Sequence, residues 1–434
     1  MSEVTYEKLV DEKEFVDLLQ KHSELLFRLT NLLLASTEAS WNKKHYFQLI
    51  NETDTLESVL DDYGARYNRT YAFFTELVAS TRWFAHSGYS LAHLLSRLDS
   101  YGGANAGETW AEAFKEVDRG LGFVQRNATQ LLQAFCAEAQ RLGLRPTSKA
   151  FPETDFLPVL ARKRLPRNVG QAELLHEEQK IAEVVTKYLQ AREMLREIGI
   201  RRLEDRDERH KIFARVCSEE HARVYEATVH NLQSTYDTHI QNTVLEAQDP
   251  RLHQLRGHIS PALHLLQAVT FLAHFIERHE TDIRSEEAKR EIAAIIDRSE
   301  VENHAWNVFL FWADRFLQDG ASIAEALLPE YTRLLELEIE LPLDLSMHAR
   351  PAALVVGIVN YYGTPVEMEL GNRRCNAGSI LELLVTVGSL PDEKRFTFRG
   401  DERPVRDIRL LFENGLGEDG LESLPESLGY LRHS

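Results

Sequence analysis

Along most of the chain, apolar residues recur every three to four positions, the spacing that puts them on one face of a helix. Residues 14–35, EFVDLLQKHSELLFRLTNLLLA, carry one continuous apolar stripe. The same period predicts two or more helices over 46–98 and another over 110–142, with the glycine-rich GGANAG at 102–107 as a loop between them. Residues 145–170 hold Pro146, Pro152, Pro158 and Pro166 without a steady period, which predicts a linker. Residues 172–198 and 204–247 then predict two long helices joined at Gly199. Unbroken, the second would reach about 60 Å. Ser260–Pro261 predicts a helix break, with two or three further helices ending near Leu328. The stripes at 26–34 and 263–275 read as core rather than as a ligand pocket.

From residue 335 the period changes to two. LELEIEL at 335–341 alternates apolar and acidic residues, the pattern of a half-buried strand. The apolar run 352–362 predicts a helix and VEMEL at 366–370 a second strand. Gly371–Asn372 turns the chain into a short strand through Cys375, and Ser379 opens a short helix to residue 387. RFTFR at 395–399 is a fourth strand, and 405–414 a last helix stopped by Gly415. The expected fold is therefore multidomain: all-α N-terminal helical bundles, followed by a small α+β open-faced sandwich of order β-α-β-β-α-β-α. Expected boundaries are a helical region 1–144, a proline-containing linker 145–170, a long-helix bundle 171–333, the small domain 334–420 and a tail 421–434. The acidic, glycine-rich chain after Gly415 is expected to be mobile, and the long helices suit a bundle or a homodimer.

Composition narrows the function. A formal net charge of −18 argues against general binding of nucleic acid or anionic membrane, since both need a basic footprint. Cys136, Cys217 and Cys375 form no CxxC pair, so neither a disulfide framework nor a zinc knuckle is indicated. The acidic start lacks the features of a signal peptide, and no run of about 18 consecutive apolar residues suggests membrane insertion. The expectation is a reduced cytoplasmic protein. HExxH, paired ExxH, GxGxxG and GxxxxGK[ST] are all absent, so no metal, nucleotide or other cofactor is expected.

The chemistry concentrates at HARPAA, residues 348–353. An imidazole partly neutral near pH 7 is a nucleophile that needs no special base, and it accepts and releases a phosphoryl group readily. At the start of a helix it would stand beside the free N–H groups of Ala349 and Arg350, which favour a bound phosphate. Arg350 adds planar, charge-assisted donors, and Pro351 in the first turn presets φ without losing a hydrogen bond. The plainer reading is a capping histidine beside a solvated arginine.

HARPAA, the element order around it and NAGSILELL at 376–384 together resemble the HPr family. These are the histidine-containing phosphocarriers of the phosphoenolpyruvate-dependent phosphotransferase system. The resemblance covers about residues 337–414, under a fifth of the chain. It implies phosphoryl relay through His348, with Ala349 and Arg350 cradling the phosphate, by a stoichiometric carrier rather than an enzyme. It implies enzyme I as donor, phosphotransferase-system proteins as acceptors, and docking through Ile380, Leu381 and Leu384 with Ala353, Leu354 and Gly357. Ser379 becomes the candidate target of the HPr kinase/phosphorylase. The fused helical region suggests a regulatory or accessory role in sugar transport.

This chain departs from the family at Ala353, Leu354, Gly357 and Asn360, where polar or basic residues usually meet enzyme I. From Leu334 onward 10 Lys and Arg face 17 Asp and Glu, so docking to an acidic donor is weaker or differently steered. Either the N-terminal helices cover that helix face or the donor is divergent. The alternative function is an interaction scaffold whose HPr-like part only docks. Histidines 253, 258, 264, 274 and 279 concentrate in the helical region, and LHQLRGHIS at 252–260 loosely resembles histidine phosphotransfer domains, with His253 as acceptor and Arg256 in support.

Overall fold

The computed structural model describes residues 9–35, 41–97, 101, 108–157, 177–278, 285–342 and 345–433. It is mostly helical, with one four-stranded antiparallel sheet near the C-terminus. Two compact units emerge. The first gathers Met1–Arg167, Leu195–His230 and Gly257–Phe316, and the second Asn168–Met194, Asn231–Arg256 and Leu317–Ser434.

The early helices are α1 (Glu12–Ala35), α2 (Lys43–Asp62), α3 (Ala72–Leu95) and α4 (Glu108–Arg141). The stripe on α1 buries Phe15, Leu19, Leu26, Phe27, Leu29 and Leu33. Small residues let α3 be buried nearly all round, and the ring of Tyr46 rests on Gly88. Residues 145–157 contain no regular element beyond a short 3₁₀ turn at Glu153–Phe156; the rest of the predicted linker and the loop 102–107 lie outside the described residues.

The chain continues with α5 (Glu177–Ile198), closed by Gly199 at φ +70°, then α6 (Arg206–Val216), α7 (Glu219–His239) and α8 (Val244–Gln248). The expected unbroken helix over 204–247 is thus three helices. Cys217 is buried and leaves the helical conformation at φ −135° and ψ 33°, and Ser218 Oγ accepts the His221 N–H to start α7. After α7, Asn242 takes a left-handed φ of +63°, and Thr243 Oγ1 accepts the Glu246 N–H to start α8.

The expected break at Ser260–Pro261 is absent. The helix α9 (Pro250–Arg278) runs through it with Pro261 inside. Burial of Leu255, Ile259, Leu263, Leu266 and Val269 on the same helix outweighs the lost hydrogen bond, as tertiary packing commonly does. Among the described helices, α9 alone is long and apolar enough to cross a bilayer, and 78% of its most apolar window is buried inside the protein. The helical series ends with α10 (Glu286–Ile295), α11 (Arg298–His304), a π-helical turn, α12 (Phe311–Asp319) and α13 (Ala321–Tyr331).

The C-terminal part follows the order β1 (Leu334–Glu340), α14 (Ala349–Tyr362), β2 (Val366–Leu370), β3 (Arg373–Asn376), α15 (Ile380–Ser389), β4 (Arg395–Asp401) and α16 (Glu402–Glu413). Strands lie in the order β1-β4-β2-β3, all antiparallel. Val366 stands opposite Gly400 and Leu370 opposite Phe396. Alternation puts Val366, Met368, Leu370, Phe396 and Phe398 on the buried face, where Val355, Ile358, Leu383, Ile408 and Leu411 of the helices meet them. The opposite face carries charges, with Arg399 2.8 Å from Glu336 and Arg374 2.9 Å from Glu369. Gly363 ends α14 at φ +66°, where a Cβ would run into Glu183 of α5.

The segment after α16, expected from its composition to be a mobile tail, is instead packed onto the domain. It forms 3₁₀ turns at Gly415–Gly417, Leu421–Ser423 and Glu426–His433. Leu416, Leu424, Leu428 and Leu431 enter the same core as the sheet. Leu416 holds φ +56°, unusual for a branched side chain, between two glycines that also have positive φ.

Candidate functional site at the start of α14

The chain leaves β1 through Leu341, whose N–H donates to Lys394 O at 2.8 Å, and reaches α14 over a loop anchored by buried Met347. Lys394 Nζ holds the same loop by donating to Leu345 O at 2.7 Å. His348 then takes an extended backbone and becomes the N-cap of α14. Its Nδ1 accepts the Arg350 N–H at 3.4 Å, a long capping bond. The side chain is half exposed, at 50%, so the ring is both held and reachable.

Three features make this helix start suited to a phosphoryl group. The first-turn N–H groups of Ala349 and Arg350 have no helical acceptor, and the helix dipole places partial positive charge there. Pro351 brings no donor to leave unsatisfied. Arg350 is exposed and makes no ion pair among the described residues, so its guanidinium remains available to an anion.

A feature that sequence reasoning missed lies on the other ring nitrogen. Glu418 Oε1 sits 2.8 Å from His348 Nε2. It comes from the glycine-rich segment GLGEDG, whose Gly417 lies against Leu354 of α14, close enough that a Cβ there would be 2.9 Å from Leu354 Cδ1. The C-terminal chain also lies over part of the uncharged face of α14, while Ala353 and Asn360 stay exposed. A Cβ at Gly357 would be 3.1 Å from Leu431 Cδ2, and Tyr361 stacks on Tyr430 with ring centroids 3.8 Å apart. Tyr430 and Tyr362 both donate to Asp407 Oδ2, at 2.6 and 2.8 Å. Of the predicted docking residues on α14, Ala353 remains exposed, while Leu354 and Gly357 are partly covered by this C-terminal segment.

Ser379 is the N-cap of α15, its Oγ accepting the Glu382 N–H at 3.4 Å, while the Glu382 carboxylate accepts the Asn376 N–H at 2.9 Å. Ile380 and Leu381 stand exposed at 39% and 71%. Leu384 is half-buried and lines a cleft of about 320 Å³ together with His348, Ala349, Val387 and Lys394. The structure thus brings His348 and Leu384, one of the three docking residues predicted on α15, to one cleft.

The other histidines are placed differently. His253 is exposed, but Arg256, expected to support it, is held by Asp237 at 2.6 and 2.8 Å. His258 packs edge-on against Trp110, and burial pushes it down to about 4. His264 faces His93, and His274 lies 3.8 Å above Trp83 with Glu219 2.6 Å from its Nδ1. His279 is outside the described residues. Among the described residues no cluster of His, Cys, Asp and Glu could hold a metal ion. Comparison with known protein families, with curated proteins and with solved structures finds no match to this chain.

Proposed function

We propose that residues 334–420 form an HPr-like phosphocarrier domain, and that the protein relays a phosphoryl group through His348 as a stoichiometric carrier. The observation that carries this reading is the half-exposed His348 ring at the N-terminus of α14, beside the exposed Arg350. The ring nitrogen attacks phosphorus, and the Ala349 and Arg350 N–H groups with the guanidinium neutralise the phosphoryl oxygens. The ring stands half exposed at the surface, which suits transfer to another protein. Enzyme I is the proposed donor and phosphotransferase-system proteins the acceptors, docking over Ile380, Leu381 and Leu384. Three free thiols suit a reducing cytoplasm. Ser379 is the proposed regulatory target, where a phosphate would put a dianion at the start of α15 beside Glu382.

Incubation with phosphoenolpyruvate and enzyme I is expected to give an acid-labile, base-stable phosphate that disappears in His348→Ala. Absence of label from the wild-type protein with its cognate enzyme I defeats the relay. In a parallel arm, ATP and the HPr kinase give an acid-stable label lost in Ser379→Ala; label on another residue removes the regulatory claim.

One observation favours a second reading. The outer side of α14 is partly occupied by the chain's own C-terminal segment. In that reading the domain is a docking module and His348 stays uncharged. The enzyme I experiment separates the two.

A further inference from the structure

We propose that Glu418 is a positioning residue for His348: its carboxylate keeps the ring proton on Nε2 and presents Nδ1 as the nucleophile. This rests on His348 being a phosphoryl acceptor. Two contacts specify the same tautomer. Glu418 Oε1 lies 2.8 Å from Nε2, and a carboxylate can only accept, so Nε2 carries the hydrogen. On the other side, the Arg350 N–H approaches Nδ1 at 3.4 Å, which requires a lone pair there. The proton is therefore held away from the nitrogen that faces the α14 donors. A histidine whose second nitrogen is engaged in this way has its reactive nitrogen chosen for it.

The placement of Glu418 is built by the fold. Leu416, fully buried two residues earlier, fixes the turn with φ +56°, and Gly417 seats it against Leu354 of α14. In the transfer, the Nδ1 lone pair attacks the phosphorus carried by a phosphohistidine of the donor protein and forms the new N–P bond. The donor's N–P bond breaks, and its imidazole keeps the electron pair. Positive charge developing on the His348 ring is stabilised through Nε2–H by the Glu418 carboxylate, and that proton stays in the hydrogen bond. The first-turn N–H groups pass from the ring nitrogen to the phosphoryl oxygens. Nothing is oxidised or reduced.

The test uses the full chain with ¹⁵N-labelled histidine, comparing wild type, E418Q and E418A. Nitrogen NMR on the neutral ring reads the His348 tautomer. Phosphoramidate, a small donor that needs no docking, supplies the phosphoryl group, and ³¹P NMR reads which nitrogen receives it. The wild type is expected to be the Nε2–H tautomer labelled on Nδ1. E418Q keeps an accepting oxygen, so the tautomer persists while labelling slows about two- to fivefold, the range for one half-exposed charge. E418A is expected to show mixed tautomers and part of its label on Nε2. An unchanged tautomer and labelled nitrogen in E418A, or faster labelling in either variant, overturns this proposal alone. An unlabelled wild type overturns it together with the phosphocarrier reading.

Discussion

His86 and His93 lie in the first unit as rings held neutral by their surroundings. His86 stacks on Phe271 with centroids 4.6 Å apart, and burial followed by the Arg82 charge pushes it down to about 4. His93 is pushed to about 4 by burial, then by His264 and Lys43, whose Nζ is 3.2 Å from its Nδ1. Since both folded values lie below the ordinary histidine value of about 6.5, the unfolded chain takes up protons that the fold refuses. The stability tied to these rings is fully present above that value and is lost as pH falls toward about 4. A His86→Gln, His93→Gln protein should lose less of its urea midpoint than wild type across that interval; an equal loss would remove the two rings as the cause. At this same scale His348 and Ser379 are legible as helix caps, because each stands directly before a helical period. Glu418 was not. Its glycine-rich surroundings suggested motion, whereas Gly415, Gly417 and Gly420 use their freedom for positive φ in a fixed turn.

The helices and strands that pattern alone predicted correctly are those whose periodicity serves one core. Strand β2 reads as alternation and is buried as alternation, with Val366, Met368 and Leu370 inward. Where the pattern misled, a local residue was weighed against burial that the sequence does not display. Pro261 looked like a break, yet α9 continues because its neighbours are buried on all sides. The break at Cys217–Ser218 is hidden in the sequence because a capping serine inside a helical period has the same polarity as a residue on the helix surface. The C-terminal segment shows the same competition: acidic and glycine-rich on average, it spaces Leu424, Leu428 and Leu431 to enter the core. Leu428 is 0% exposed there. Leu428→Ala should therefore destabilise the second unit by about 2–5 kcal/mol, the range for a buried leucine truncation. Urea unfolding followed by amide protection in β2 measures it, and a change within about 0.5 kcal/mol, as at a surface site, would mean that the segment only decorates the domain.

At the level of the whole chain, the compact units are discontinuous in sequence, whereas the residue pattern suggests consecutive blocks. Residues 168–194 and 231–256 cluster with 317–434, although helical periodicity gave no hint that they belong with the sheet. Periodicity describes which face of an element is apolar, and not which other element will cover it. In the second unit that cover includes long-range pairs such as Arg192 with Glu325 at 2.9 Å and Arg251 with Glu330 at 2.7 Å. The division has a measurable consequence because the five tryptophans, Trp41, Trp83, Trp110, Trp306 and Trp312, all fall in the first unit. Tryptophan emission therefore follows the first unit, while amide protection in β2 follows the second. When two compact units unfold separately, probes placed in each give transitions that do not coincide. In Leu428→Ala the β2 transition is expected to move to lower urea while the tryptophan transition keeps the wild-type midpoint. If both midpoints fall together by the same amount, the two units unfold as one cooperative body, and a disturbance beside His348 reaches the whole chain.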